Sequence, residues 1–186
     1  RQMCIRDRFE VAAYDEGAHV TFLDSKSSQM GKKESIEDTA RVLGRMYDGI
    51  EYRGFKQSVV EDLARYSGVP VWNGLTDMFH PTQMLADIMT AREEFGDLRG
   101  RKLAFFGQVG NTASSLLVIC AKLGIDFVQV GPQADVPGNR TYRPELWKAC
   151  QELAAVSGAT LTMTDDIDEG IQGVDAVYTD VWVGMG

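Results

Sequence analysis

Short apolar runs rich in β-branched and aromatic residues alternate with segments of helical pattern from residue 9 to residue 179. This alternation constrains the fold more than any other property of the sequence. It predicts strands at residues 18–23, 49–52, 69–72, 102–106, 126–130, 160–163 and 176–179. Helices are expected at 9–16, 58–66, 81–95, 112–123, 144–156 and 165–171. One more is expected after Ser35, which caps it with Asp38 in place of the usual glutamate of a capping box, and Ala40, Leu43 and Met46 supply its apolar face. Strand, helix, strand in repetition implies parallel sheets covered on both faces, and so an α/β chain. Residues 96–101, with Gly96, Asp97, Gly100 and Arg101, read as a linker that divides the alternation into a unit at 1–95 and a second at 96–186.

The length of 186 residues allows one large or two small domains, each able to bury a core. A net charge of -8 argues against general nucleic-acid binding, which needs clustered Lys and Arg. It leaves room for a small anionic substrate met by a few focused arginines. Cys4, Cys120 and Cys150 are odd in number and lack metal-ligand spacing, which fits a reduced, cytoplasmic chain. No run is long and apolar enough for a membrane span, so no membrane partner is expected. The abrupt start at residues 1–8, ahead of a well-patterned helix, and the strand-like end at 178–186 lead to the expectation that this is a piece of a longer protein.

Open parallel sheets bind ligands beyond the carboxyl ends of their strands. That rule selects Gln29, Arg53, the run His80-Pro81-Thr82-Gln83, Asn111, and residues 180–185. Proline disfavours the α conformation in the residue before it and is suited to a first helical turn, so His80 should be extended and Pro81 should open the helix to Phe95. An imidazole, a hydroxyl and an amide would then gather at the positive end of a helix, where oxygen or phosphate is favoured. The competing account is an ordinary helix start with a capping histidine. Arg53 offers a planar fork of donors to an oxygen ligand, or else a surface salt bridge. Asp180 could hold an ammonium group or cap a turn. The loop with Gly107 and Gly110 lacks the three-glycine dinucleotide spacing, and Val130-Gly131-Pro132 supplies no acidic residue for a ribose. No metal site and no cofactor are expected from the two scattered histidines and three cysteines. Cys120 and Cys150 sit in apolar helices as inert thiols. His, Arg, Gln, Thr and Asn together suit a site that positions and polarises a substrate without bonding covalently to it.

Residues 29–35, residues 38–46, the segment 69–83 and Tyr178-Thr179-Asp180-Val181-Trp182 together closely resemble the ornithine carbamoyltransferases, within the aspartate/ornithine carbamoyltransferase family. The likeness runs from about Phe9 to Gly186. It implies two doubly wound parallel-sheet domains, a carbamoyl-phosphate domain at 1–95 and an ornithine domain at 96–186, both incomplete. It also implies transfer of the carbamoyl group of carbamoyl phosphate to the side-chain amine of ornithine, giving citrulline and phosphate. Carried over by position, Arg53 and His80 would be catalytic, and Gln29, Arg53, His80, Pro81, Thr82 and Gln83 would contact carbamoyl phosphate. Gln29 would serve a neighbouring subunit's site, which implies a homotrimer with shared active sites. Asn111, Asp180, Gly184 and Met185 would hold ornithine.

The sequence departs from that family in three places. The phosphate loop Ser-Thr-Arg-Thr should fall at Gln2-Met3-Cys4-Ile5, which has none of these residues, so residues 1–8 are expected to be foreign to the gene. Gly184 stands where ornithine enzymes have serine, and residues 107–115 are one residue short of the usual loop. These two differences keep putrescine or another amine open as the acceptor. The family's later His-Cys-Leu-Pro loop and C-terminal arginine have no counterpart up to Gly186, so this chain by itself is expected to be inactive. A non-catalytic α/β binding module is the alternative from a different class.

Overall fold

The computed structural model describes residues 5–24, 33–131 and 143–180. They form α1 (Ile5–Asp15), α2 (Ile36–Met46), β1 (Ile50–Arg53), α3 (Gln57–Ser67), β2 (Val71–Leu75), α4 (Pro81–Phe95), β3 (Lys102–Phe106), α5 (Asn111–Leu123), β4 (Asp126–Val130), α6 (Pro144–Ser157), β5 (Leu161–Thr164), α7 (Ile167–Gly170) and β6 (Ala176–Thr179). The chain packs as two compact units, one of residues 1–52 with 58–74 and the other of residues 53–57 with 75–186.

In the first unit the expected cap of α2 is present. The Ser35 hydroxyl accepts from the Asp38 N–H at 3.0 Å, as an N-cap does, and donates to the Asp38 carboxylate at 2.7 Å, so the aspartate meets the cap's hydroxyl where the glutamate of a capping box would meet its backbone N–H. Ala40 is fully buried, but Met46 is 65 % exposed, so the buried stripe of α2 is narrower than its apolar pattern implied. A Cβ at Gly44 would lie 1.8 Å from the Ser67 carbonyl oxygen, so this helix approaches α3 backbone to backbone, with no side chain between them. On α3, Val60 and Leu63 are buried, each contributing roughly 2 kcal/mol. Strands β1 and β2 pair with each other in a two-stranded sheet, with the Ile50 N–H donating to the Pro70 carbonyl at 2.9 Å.

The strand expected at residues 18–23 is not formed. Residues 18–23 carry no strand, and Val20, Phe22 and Leu23 are about half exposed. Alternating apolar residues make a strand only when a ladder of backbone hydrogen bonds takes up their N–H and C=O groups, and the Ala18 N–H instead turns back to the Ala13 carbonyl at 2.8 Å.

The second unit holds a four-stranded parallel sheet of order β5-β4-β3-β6. Alternation divides its side chains between two faces. Leu103, Phe105 and Phe127 point into the larger core, with Met84 and Ile88 of α4, Leu116, Leu117 and Cys120 of α5, and Cys150 and Ala154 of α6. Ala104, Val128 and Val130 form a smaller cluster on the opposite face. There α7 closes on the sheet, with Gly170 so near Val130 that a Cβ would come within 2.4 Å of its methyl carbon. Strands β3, β4 and β6 and helix α4 have the bounds the pattern predicted. Helix α1 begins four residues before its expected start and β2 ends three residues after its expected end, while the remaining formed elements shift by a residue or two, as element ends commonly do.

Gly44→Ala would add roughly 1 kcal/mol of helix propensity in an open helix. Here it is expected to destabilise the protein by about 2 kcal/mol through overpacking against α3. Thermal unfolding followed by circular dichroism checks this, with a raised melting temperature as the contrary result.

Candidate functional site

The site is built within the second unit on a turn whose centre is Thr76, a residue with no exposed surface. Its N–H donates to the Phe79 carbonyl at 2.8 Å. Its hydroxyl donates to Gln57 Oε1 at 2.7 Å and accepts from the N–H groups of Phe79 at 3.1 Å and Met78 at 3.3 Å. Its carbonyl accepts from Asn111 Nδ2 at 2.9 Å. Asp77 extends the tie to the segment after β1, donating its N–H to the Phe55 carbonyl at 2.7 Å and accepting from the Gln57 N–H at 3.1 Å. Arg143 reaches the same turn, donating to the Met78 carbonyl at 3.2 Å, with its guanidinium over the Phe79 ring.

This turn delivers His80 to the start of α4. Pro81 is the first helical residue, as predicted. His80 was expected to be extended, and its φ of -135° agrees, but its ψ of 64° does not, because the tight turn from Thr76 to Phe79 draws it round. The capping account fails. The imidazole makes no cap hydrogen bond, and its Nδ1 lies 3.5 Å from Thr82 Oγ1. The backbone N–H of His80 donates to Ser115 Oγ at 2.7 Å, and that hydroxyl donates in turn to the Asn111 carbonyl at 2.7 Å. The first turn of α5 therefore holds the start of α4 in place.

His80 is 9 % exposed, and its pKa lies below 6.5. Burial is the largest cause, since desolvation disfavours the imidazolium, and the Arg53 guanidinium adds to it. The carboxylates of Asp180 and Asp87 oppose the shift. His80 is thus neutral near pH 7 while feeling a cation from the end of β1 and an anion from the end of β6.

Strand order explains how Asp180 gets there. From β3 the chain moves to β4 on one side and returns to β6 on the other, so a crevice opens between the carboxyl ends of β3 and β6. Asn111 follows β3 and Asp180 follows β6. Between them Thr112, on α5, donates its hydroxyl to Asp180 Oδ2 at 2.6 Å. Asn111 has both ends of its amide engaged, Nδ2 with Thr76 and Oδ1 with the Thr112 N–H at 2.8 Å.

Arg53, His80, Pro81, Thr82, Gln83, Asn111 and Asp180 are all in this unit. Gln29, Gly184 and Met185 lie outside the described residues. Sequence reasoning passed over Gln57, Asp87, Thr112, Ser115, Arg143 and Tyr178. Asp87 and Ser115 had a local signal, each four residues beyond a candidate on the same helical face, Gln83 and Asn111, and Thr112 adjoins Asn111. The others become neighbours through chain crossings that no local pattern encodes. Among the described residues no group of His, Cys, Asp and Glu could hold a metal ion, and no helix is long and apolar enough to cross a membrane.

Residues 6–93 match the family model for the aspartate/ornithine carbamoyltransferase carbamoyl-P binding domain, and residues 99–186 match that for the Asp/Orn binding domain. A catabolic ornithine carbamoyltransferase of Treponema denticola is 55% identical over 182 residues, covering 97% of this chain and 52% of that protein. The ornithine carbamoyltransferase of Actinobacillus pleuropneumoniae is 58% identical over 183 residues, covering 97% of this chain and 53% of its own length. The chain therefore spans about half the length of these curated relatives. Among solved structures, the Pyrococcus furiosus ornithine carbamoyltransferase superposes with a TM-score of 0.88 at 39% identity, over 95% of this chain and 55% of that one. The enzyme from Gloeobacter violaceus gives 0.82 at 39%, over 97% and 59%. Parallel sheets, an imidazole at a proline-led helix start, and domain models matched one after the other along the sequence agree in their conclusion: the chain belongs to the aspartate/ornithine carbamoyltransferase family.

Proposed function

We propose that the full-length protein transfers the carbamoyl group of carbamoyl phosphate to the side-chain amine of ornithine. One observation carries this reading: a cation from the end of β1 and a carboxylate from the end of β6 both act on the buried imidazole of His80. Carbamoyl transfer needs this arrangement, because an anionic donor and a cationic acceptor must meet within bonding distance. In the division by role, residues 1–95 form the carbamoyl-phosphate domain and 96–186 the ornithine domain.

The steps follow from the residues present. Arg53 neutralises and orients carbamoyl phosphate, whose phosphoryl oxygens are favoured by the N-terminal N–H groups of α4 near Thr82 and Gln83. The ornithine side-chain amine, in its neutral form, attacks the carbamoyl carbon. The carbonyl oxygen becomes an oxyanion as the new C–N bond forms, and Arg53 and His80 stabilise that charge. As the intermediate collapses, the C–O bond to phosphate breaks, and the proton lost by the amine leaves with the phosphate. A neutral His80 matters, since it offers a hydrogen bond at the carbonyl without a second full positive charge beside Arg53. Asp180, steadied by Thr112, anchors the amino-acid end of ornithine, and Asn111, Gly184 and Met185 are assigned to the same substrate. Gln29 is assigned to a neighbouring subunit's site, in a cytoplasmic homotrimer. The glycine at 184 and the shorter loop at 107–115 favour putrescine as the second acceptor to be tried.

Citrulline formation by the full-length protein, with putrescine assayed in parallel, tests the assignment, and failure to carbamoylate either amine overturns it. His80→Ala is expected to lower kcat about a hundredfold, as for loss of one oxyanion donor. Steady-state kinetics distinguish this from a pure rise in KM. Because burial and then Arg53 lower the His80 pKa from the ordinary histidine value, its imidazole is expected to take up a proton at lower pH than a free histidine does. In histidine-labelled NMR titrations its midpoint is expected to rise in Arg53→Ala, which removes a positive neighbour, and to fall in Asp180→Asn, which removes a negative one.

A further inference from the structure

Gln83 is not alone on its helical face. Its Nε2 donates to Asp87 Oδ1 at 2.9 Å. The other carboxylate oxygen of Asp87 accepts from the Tyr178 hydroxyl at 2.8 Å. Tyr178 comes from β6 and is held by stacking on Phe105 of β3, with ring centroids 5.8 Å apart. Three elements of the unit thus converge on one amide.

A primary amide has a donor end and an acceptor end of nearly equal size, and which end meets a ligand depends on what holds the other. An ionised carboxylate can only accept, so Asp87 takes the NH2 group and leaves Oε1 as the end of Gln83 available to a ligand. Tyr178 fills the second carboxylate oxygen and prevents Asp87 from swinging away. Resting on the carbamoyl-phosphate assignment above, we propose that Asp87 and Tyr178 are positioning residues that lock the Gln83 amide with its oxygen toward the substrate. The site thereby selects a donor-bearing carbamoyl NH2 over the methyl group of an acyl phosphate of the same shape. A fixed acceptor left facing a methyl group loses its water and gains no partner, which is the basis of strong discrimination.

The test compares carbamoyl phosphate with acetyl phosphate, which differs by NH2 to CH3, and uses inorganic phosphate as a control. Affinities of all three are measured on the full-length protein by calorimetry, or as inhibition constants. The wild-type protein is expected to prefer carbamoyl phosphate to acetyl phosphate. In Asp87→Asn, whose amide can present either a donor or an acceptor to Gln83, that preference is expected to shrink about tenfold while phosphate affinity stays within about twofold. Tyr178→Phe should shrink it by a smaller factor, and it remains informative if Asp87→Asn does not fold. Equal weakening toward all three ligands would reduce the pair to a structural role and overturn the inference, as would an unchanged preference in both variants. A wild-type protein that binds no carbamoyl phosphate would instead overturn the functional assignment itself.

Discussion

The hydroxyl of Thr76 is buried, and a buried hydroxyl without partners costs about 1–3 kcal/mol. Thr76 meets that demand with Gln57, Met78 and Phe79, while its carbonyl is met by Asn111. These partners come from the start of α3, the turn after β2, and the start of α5. Satisfying one residue therefore draws together chain segments that are distant in sequence. His80, four residues on, inherits its position from that knot, and Ser115 holds its N–H. A fully satisfied buried network of this kind rigidifies its surroundings, because any displacement leaves a polar group unpaired.

Rigidity and burial together govern the electrostatics. An exposed imidazole would sense Arg53, Asp180 and Asp87 weakly through water. In a partly desolvated site the same charges act strongly enough to bias its protonation. The opposing signs matter as much as the strength. Arg53 and burial keep His80 neutral, and the two carboxylates limit how far that goes. The helix start adds a field of fixed direction without adding another titrating group.

The cores on the two faces of the sheet are unequal for a reason visible in the residues. The face carrying Phe105 and Phe127 receives the apolar sides of α4, α5 and α6. The other has only small or β-branched side chains, Ala104, Val128 and Val130, beneath the short α7. The larger core therefore sits beside the helices that carry His80 and Asn111, so the best-packed part of the unit supports the candidate site. Buried Cys120 and Cys150 belong to that packing, and burial raises both thiol pKa values, which removes them from nucleophilic chemistry near neutral pH.

The sequence by itself determined the α/β class, the bounds of β3, β4, β6 and α4, the helix start at Pro81, and the candidate group Arg53, His80, Gln83, Asn111 and Asp180. These follow from local rules: side-chain periodicity, the fixed φ of proline, and the tendency of ligands to bind at carboxyl ends of parallel strands. Local rules failed where a partner was required. Residues 18–23 have the strand pattern but carry no strand, and Met46 continues an apolar stripe yet is mostly exposed. Tertiary structure alone decided that Thr112 would steady Asp180, that Ser115 would hold His80, and that Tyr178 would reach Asp87. The contacts at Asp180 and Tyr178 depend on strand order, which places β6 beside β3, and that at Ser115 depends on the packing of α5 against the start of α4; both come from the packing of whole elements.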